Sequence, residues 1–387
     1  MSDSLKLCTW SAALAAVGEL VSIEETARQF KAFLRARGVK SAADLLRLAL
    51  AYAGGNSLRG SSAWAQASAV AELSGPALYK RLANAADWLA FIARRLVEET
   101  RPQIAGTWAG WRLRVIDASS ICQPGADRTS WRLHVSYDLS GGVDDFELTD
   151  GKGAERLSRF TWREGDIALA DRYYARPGEL APVLDSGAHF VVRTGWNSLR
   201  LFTPEGKPFD LFAALTSLKG NAASHRIRVD THDPARPSLP LRLIIGRLPP
   251  DKVEVARKKV MARALKVGKK VDPRSLQAAG YVMLLSSLPD QHAAQAILQL
   301  YRLRWQIELL FKRFKSLLGL GDLPAKQRNL ARSWILSKLI LALLVERTAR
   351  KLAESSPCAP AQIASGEAGL AARALHWPPL RPCDLSR

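Results

Sequence analysis

YRLRWQIELLFKRFKSLLGL, Tyr301 to Leu320, carries one acid, Glu308, among Arg302, Arg304, Lys312, Arg313 and Lys315. Wound as a single helix at about 100° per residue, it puts Leu303, Ile307, Leu310, Phe314 and Leu317 on one arc. Tyr301, Arg304, Glu308, Lys312 and Lys315 share a second arc, almost opposite the first. One face is for packing, and the other is polar, aromatic and selectively charged. Pairing of Glu308 with Arg304 and Lys312 at i,i+4 spacing would account for the acid on this helix alone. The rest of the chain decides between pairing and chemistry.

Upstream of this helix the pattern is that of an α/β protein. WRLRVID, SWRLHVSYDL and VDDFELTD predict three strands, then ERLSRF a short helix, IALAD a buried strand, GELAPVLDSG a helix and HFVVRT another strand. That order implies a mixed sheet flanked by helices. From about 196 to 285 the pattern is interrupted by antiparallel-looking strands, LFTPEGKPFD, HRIRVDTHD and LRLIIGRLP, with Pro and Gly turns. A strongly basic helical stretch follows, then the strand YVMLLSSLP and a helix beginning near Ala293. Residues 1–105 are helical, and ASAVAELSGPALYKRLANAADWLAFIARRL reads as helix, short turn, helix, with the turn at Ser74-Gly75-Pro76. Such a pair is either a helix-turn-helix for docking on DNA or an ordinary αα-hairpin. The chain thus divides into a helical N-terminal DNA-binding domain (1–105), a first core part (106–195), a β-rich insertion (196–285), a second core part (286–350) and a tail (351–387).

Composition narrows the partner. The 387 residues include 56 Lys and Arg against 36 Asp and Glu, a formal charge of +20 and a pI near 10.2. A surplus of that size suits a polyanion, nucleic acid first. The basic stretch supplies Arg257, Lys258, Lys259, Arg263 and Lys266, a set predicted to meet DNA backbone. No apolar run reaches the roughly 20 uncharged residues of a membrane span, since Lys338 interrupts SWILSKLILALLVERTARKLAE. The N-terminus shows no secretory signal. Cys8, Cys122, Cys358 and Cys383 are too scattered for a zinc site or a disulfide framework. The expectation is a cytoplasmic, nucleoid-associated protein.

Asp117 closes the strand RVID and Asp171 the strand IALAD, and functional groups of open α/β sheets gather at such strand ends. Each could instead be an Asx-turn or helix cap. With Glu308 they make three acceptor-only carboxylates, a donor set for Mg2+ or Mn2+. Two such ions could activate the attacking oxygen and stabilise the leaving one in a phosphodiester displacement. Arg304, Lys312 and Lys315 would then hold phosphates, and Tyr301 could donate to a phosphate or stack on a base.

Tyr301, Arg304, Glu308 and Lys315 also spell Y-x2-R-x3-E-x6-K, which resembles the YREK signature of IS4-type DDE transposases. VIDASS and ALADRYY resemble that family's first and second catalytic blocks, and TDGKGAERL the stretch between them. The resemblance spans roughly residues 108 to 320. It implies an RNase H-like core, with the β-rich insertion between the second Asp and the Glu. Asp117 and Asp171 stand 54 positions apart and Glu308 a further 137 on, the longer gap holding the insertion. The resemblance further implies excision and integration of an insertion sequence by metal-dependent hydrolysis and strand transfer, through a DNA hairpin. Asp117, Asp171 and Glu308 would ligate two Mg2+ ions, with Mn2+ as a substitute, and Tyr301, Arg304 and Lys315 would handle phosphates. Partners would be the terminal inverted repeats, target DNA and a second copy of the chain. Tyr173 departs from the Gly of many relatives. A flipped base would need an aromatic platform, for which Trp196 and Tyr281 are candidates. Alternatives are another RNase H-like nuclease and an inactive DNA-binding derivative.

Overall fold

The computed structural model describes residues 10–100 and 107–355. Cys8, Cys358, Cys383 and most of the tail lie outside them. The chain forms two compact units. The first gathers the chain up to Ile104, Ala118–Gly153 and everything from Leu309; the second gathers Ala105–Asp117 and Ala154–Glu308.

The first unit is mostly helical: α1 (Trp10–Gly18), α2 (Ile23–Gln29), α3 (Ala42–Ala53), α4 (Leu58–Ala67), α5 (Gly75–Asn84) and α6 (Ala86–Thr100). Ser22, Ser41, Ser57 and Ser74 each cap a helix by accepting a backbone N–H of its first turn. Leu45, Leu46, Leu48 and Leu50 leave α3 buried almost all round. The expected helix over 68–74 does not form. Ala69 takes a left-handed φ of 52°, and the Val70 N–H donates to the Ala65 carbonyl at 2.9 Å, a Schellman-type stop that ends α4. The pair is therefore α4 and α5, joined by seven residues rather than by a tight turn at Ser74-Gly75-Pro76.

The apolar segment interrupted by Lys338 belongs to a 28-residue core helix of this unit, Arg328–Ser355. It packs on α3, α5 and α6 through buried Leu336, Leu339, Ile340 and Leu343. Its Arg347 donates to Glu19 and Glu99, and buried Lys338 donates to the Leu318 carbonyl. Among the described residues no helix is long and apolar enough to cross a membrane.

The strands, in chain order, are β1 (Thr107–Trp108), β2 (Trp111–Ile121), β3 (Trp131–Asp138), β4 (Gly142–Asp150), β5 (Asp166–Ala170), β6 (His189–Arg193), β7 (Leu201–Phe202), β8 (Ala222–Asp233), β9 (Arg236–Arg247) and β10 (Tyr281–Ser286). In the first unit β3 and β4 form an antiparallel hairpin. In the second, β2, β5 and β6 are parallel, and β10, β9, β8 and β7 follow in that order as antiparallel neighbours. Mixed α/β architecture is therefore as the sequence predicts. The β-rich segment extends the core sheet, because β10 pairs with β6 on one side and β9 on the other. Helices α7 (Pro177–Asp185), α8 (Leu211–Thr216), α9 (Pro250–Lys266), α10 (Pro273–Ala278) and α11 (Ala294–Arg302) complete this unit, and α12 (Trp305–Ser316) begins in it. Neither α8 nor α10 is apparent in the sequence, both being only six residues long.

Candidate active site

Asp117 does not end its strand. β2 continues through it to Ile121, so the carboxylate leaves from the middle of an extended segment. The parallel register pairs Val115 with Leu169. The last pair of that ladder lies two residues before Asp117 on β2 and two before Asp171, which follows β5, so the register carries both acids past the same end of the parallel pair. Ile116, Ala168 and Ala170 point into the hydrophobic core, which turns Asp117 to the other face by the two-residue alternation of a strand. Asp171 follows β5 immediately and its Oδ1 accepts the Tyr173 N–H at 2.7 Å, so it caps a short 3-10 turn (Arg172–Tyr174). The cap uses one oxygen and leaves the other available. Tyr173, the residue standing where many relatives carry Gly, is half-exposed beside it.

The helix bearing Glu308 is interrupted. Between α11 and α12 the amides of Leu303, Arg304, Gln306 and Ile307 bond to carbonyls three residues back, at 3.0 to 3.3 Å, a 3-10 tightening. One unbroken wheel therefore does not describe this segment: Ile307, Leu310 and Phe314 are buried as expected, whereas Leu317, beyond the end of α12, is 71% exposed. At the tightened turn Arg304 donates to Asp117 Oδ2 at 3.4 Å and to Glu308 Oε1. Burial works against the Arg304 charge, but Tyr301, Glu308, Asp117 and Asp171 together hold its pKa above the usual guanidinium value. Tyr301 donates its hydroxyl to the Ala170 carbonyl at 3.2 Å, tying α11 to the end of β5. Burial pushes its pKa up to about 12, which keeps that hydroxyl protonated well into the alkaline range.

The fold thus brings Asp117, Asp171, Glu308, Tyr301 and Arg304 to the carboxyl end of β5. It does not gather the carboxylates into one ligand shell: among the described residues no three His, Cys, Asp or Glu could share a metal ion. A guanidinium stands between Asp117 and Glu308 instead. The pairing of Glu308 with Arg304 and the cap at Asp171 are therefore realised in residues of the cluster, whereas Asp117 lies within a strand and caps no helix. A cation held by several carboxylates is what the donor set calls for, and Arg304 is that cation here.

The family model for the transposase DDE domain matches residues 108–344, more than half of the chain. The putative transposase InsL of insertion sequence element IS186A, from Escherichia coli (strain K12), is 42% identical over 344 residues, covering 87% of this chain and 93% of that protein. The transposase of element IS421 from Escherichia coli is 41% identical over 345 residues, with the same shares. The chain belongs to the IS4-family DDE transposases. A more distant relative is the IS231E transposase of Bacillus thuringiensis subsp. finitimus, 26% identical over 276 residues, covering 62% of this chain and 57% of that protein.

The other predicted contacts of this transposase fall into distinct settings. Lys312 and Lys315 are exposed on α12. Arg257, Lys258, Lys259, Arg263 and Lys266 lie on α9, none of whose residues is buried. Trp196 and Tyr281 are packed against the core of the second unit. The Trp196 indole N–H donates to Ser275 Oγ at 3.2 Å, its ring meets Phe212 edge-on, and Arg274 lies over it at 4.6 Å. Arg247 lies 5.9 Å from the Tyr281 ring centre. Sequence reasoning missed Arg193, whose charge acts on the Tyr301 hydroxyl from the end of β6. A basic residue closing a parallel strand next to IALAD was the available signal.

Proposed function

We propose that this transposase cuts DNA at the ends of an insertion sequence and joins the freed ends to a target, using Asp117, Asp171 and Glu308 as its catalytic carboxylates. The observation that supports this reading is the meeting of Arg304 with Asp117 and Glu308, 187 and 4 positions away, where Tyr301 ties the same turn to the end of β5, just before Asp171. Asp117, Asp171 and Glu308 would hold divalent ions, Mg2+ first and Mn2+ in its place. When bound, two such ions supply charge that activates the attacking oxygen and stabilises the leaving one.

The protein's own residues do the rest. Arg304 balances the carboxylates until DNA arrives, and its planar fork can then turn to a phosphate bidentately. Lys312 and Lys315 act as point charges on phosphates further along the strand. Tyr301, held by the Ala170 carbonyl, fixes the turn that presents Arg304 and Glu308. The full reaction follows the cut-and-paste route with a hairpin at the element end, performed by two copies that hold the two ends together. Its place of work is DNA at the nucleoid.

The test uses a plasmid carrying the element ends and, separately, pre-cleaved ends with free 3′-OH groups. The wild-type chain with Mg2+ should nick, form hairpins visible on denaturing gels and join pre-cleaved ends to target. Asp117→Asn, Asp171→Asn and Glu308→Gln should each lower cleavage by at least about a thousandfold while circular dichroism stays unchanged. Cleavage without joining would mark a nuclease instead. Normal cleavage by any of the three variants would remove that residue from the site.

A further inference from the structure

Helix α9 is built for something the catalytic cluster does not use. It leaves the sheet after β9, where Arg247 pairs with Tyr281. β10 runs antiparallel to β6, with Leu284 opposite Arg193, so Tyr281 projects past the carboxyl end of β6. That is the edge on which Asp171 follows β5. From β5 across β6 and β10 to β9 is three strand spacings, about 14 Å. α9 therefore stands beside the carboxylates on one edge of one sheet.

Its surface is basic and uncompensated. Residues 250–270 contain eight Lys and Arg against Asp251 and Glu254. Glu254 is engaged by Lys258 at 2.6 Å and Asp251 by Lys252 at 3.2 Å, and the Arg257 Nε donates to the Leu276 carbonyl. Among the described residues Lys259, Arg263, Lys266, Lys269 and Lys270 have no carboxylate in salt-bridge reach. The helix also exposes apolar side chains that a merely solvated face would not carry. Leu265 is 84% exposed, Val255 49% and Met261 46%. Met261 and Leu265, at i,i+4, form a ridge beside Lys258 on the side of the helix away from Lys259, Arg263 and Lys266, whereas Val255 lies among those three cations.

We infer that α9 lies along the DNA duplex beside the cleaved end, with Lys259, Arg263 and Lys266 on phosphates and Met261 and Leu265 turned away from it. This rests on the reading that the carboxylate cluster works on DNA. The occupant is chosen by charge: a run of unneutralised cations on one face of the helix calls for a polyanion. Seventeen residues span about 25 Å, or roughly seven base pairs. Contact should begin about four base pairs from the scissile position, given the 14 Å offset.

The experiment compares the full chain with the triple variant Lys259→Gln/Arg263→Gln/Lys266→Gln and with Met261→Ser/Leu265→Ser, by filter binding of end DNA across salt concentrations and by hydroxyl-radical footprinting. Loss of three phosphate contacts should lower the slope of log affinity against log salt by about 2.7 and erase a protected window of roughly seven base pairs. The Ser variant, altered on the opposite face, should keep both the slope and the footprint. An unchanged slope and footprint in the triple variant overturns the inference. So does loss of the footprint in the Ser variant, which would put the DNA on the opposite face of the helix. Asp117→Asn serves as the control for the underlying reading: if it still cleaves, the cluster assignment has failed, whatever α9 does.

Discussion

Strand β5 has an arginine–carboxylate cluster at each end, and the two differ in what surrounds them. At its start, Asp166 is 2% exposed and takes Arg112 at 3.3 Å and Arg114 at 3.1 Å. Arg114, 3% exposed, also donates to the Thr161 carbonyl at 2.6 Å and lies over the Trp162 ring. Just past its end, Arg304 joins Asp117 and Glu308, with 18%, 21% and 56% of those side chains exposed. The charges are of the same kind. Desolvation makes the first cluster a fixed joint, because a buried charge that loses a partner finds no water to replace it. Water within reach of the second lets its partners exchange at little cost. One end of the strand anchors β2 to β5, and the other can release a cation when a competing anion or metal arrives.

The largest expected effect is on the anchored end. Asp166→Ala should destabilise the protein by about 3–5 kcal/mol, since it takes from buried Arg114 the carboxylate held at 3.1 Å and empties a buried site. Arg304→Gln should change stability by no more than about 1 kcal/mol. Urea unfolding of both variants checks the pair, and equal losses would break the contrast.

A smaller effect should sharpen it. With Arg304 gone, Asp117 and Glu308 lose their resident cation, so Arg304→Gln should bind Mn2+ without DNA about three- to tenfold more tightly than wild type. Electron paramagnetic resonance of free Mn2+ reads this directly. Unchanged affinity would mean that the guanidinium does not compete for the carboxylates.

The smallest concerns the tie between α11 and β5. Tyr301→Phe removes one hydrogen bond, to the Ala170 carbonyl, and should cost about 0.5–1.5 kcal/mol at neutral pH. The folded-state pKa near 12 lies above the unfolded value of 10.0. The fold thus holds this proton more tightly, and the associated stability is intact below pH 10 and lost as pH rises towards 12. The Phe variant should lack that part of the alkaline decline in thermal midpoint.

Much of this was legible locally. Alternation in SWRLHVSYDL and the apolar run IALAD mark strands whose register needs no further signal to be recognised as β. The Y-x2-R-x3-E-x6-K spacing marks the helix and names its chemistry, because one carboxylate among cations has few uses. The exposure of α9 also follows from its composition: a helix so rich in Lys cannot bury a face. Local patterns misled where a longer-range contact intervened. ASAVAELS has helical propensity, yet Val39 bridges Ala71 and the segment is extended around it. Asp117 looked like a strand end because the apolar run stops there, whereas ladder bonds carry β2 on to Ile121.

The sequence by itself determined which residues carry charge, which strands and helices exist, and to which family the chain belongs, because those depend on composition and spacing along the chain. Only the tertiary structure decided that β2 and β5 run parallel below Asp117 and Asp171, that Arg304 occupies the gap from Asp117 to Glu308 through a tightened turn, and that α9 shares their edge of the sheet. Those facts depend on strand register and on burial, which are set by partners far away in the chain. Two carboxylate–arginine clusters written in the same letters therefore became one anchor and one exchangeable site, by the difference in water around them.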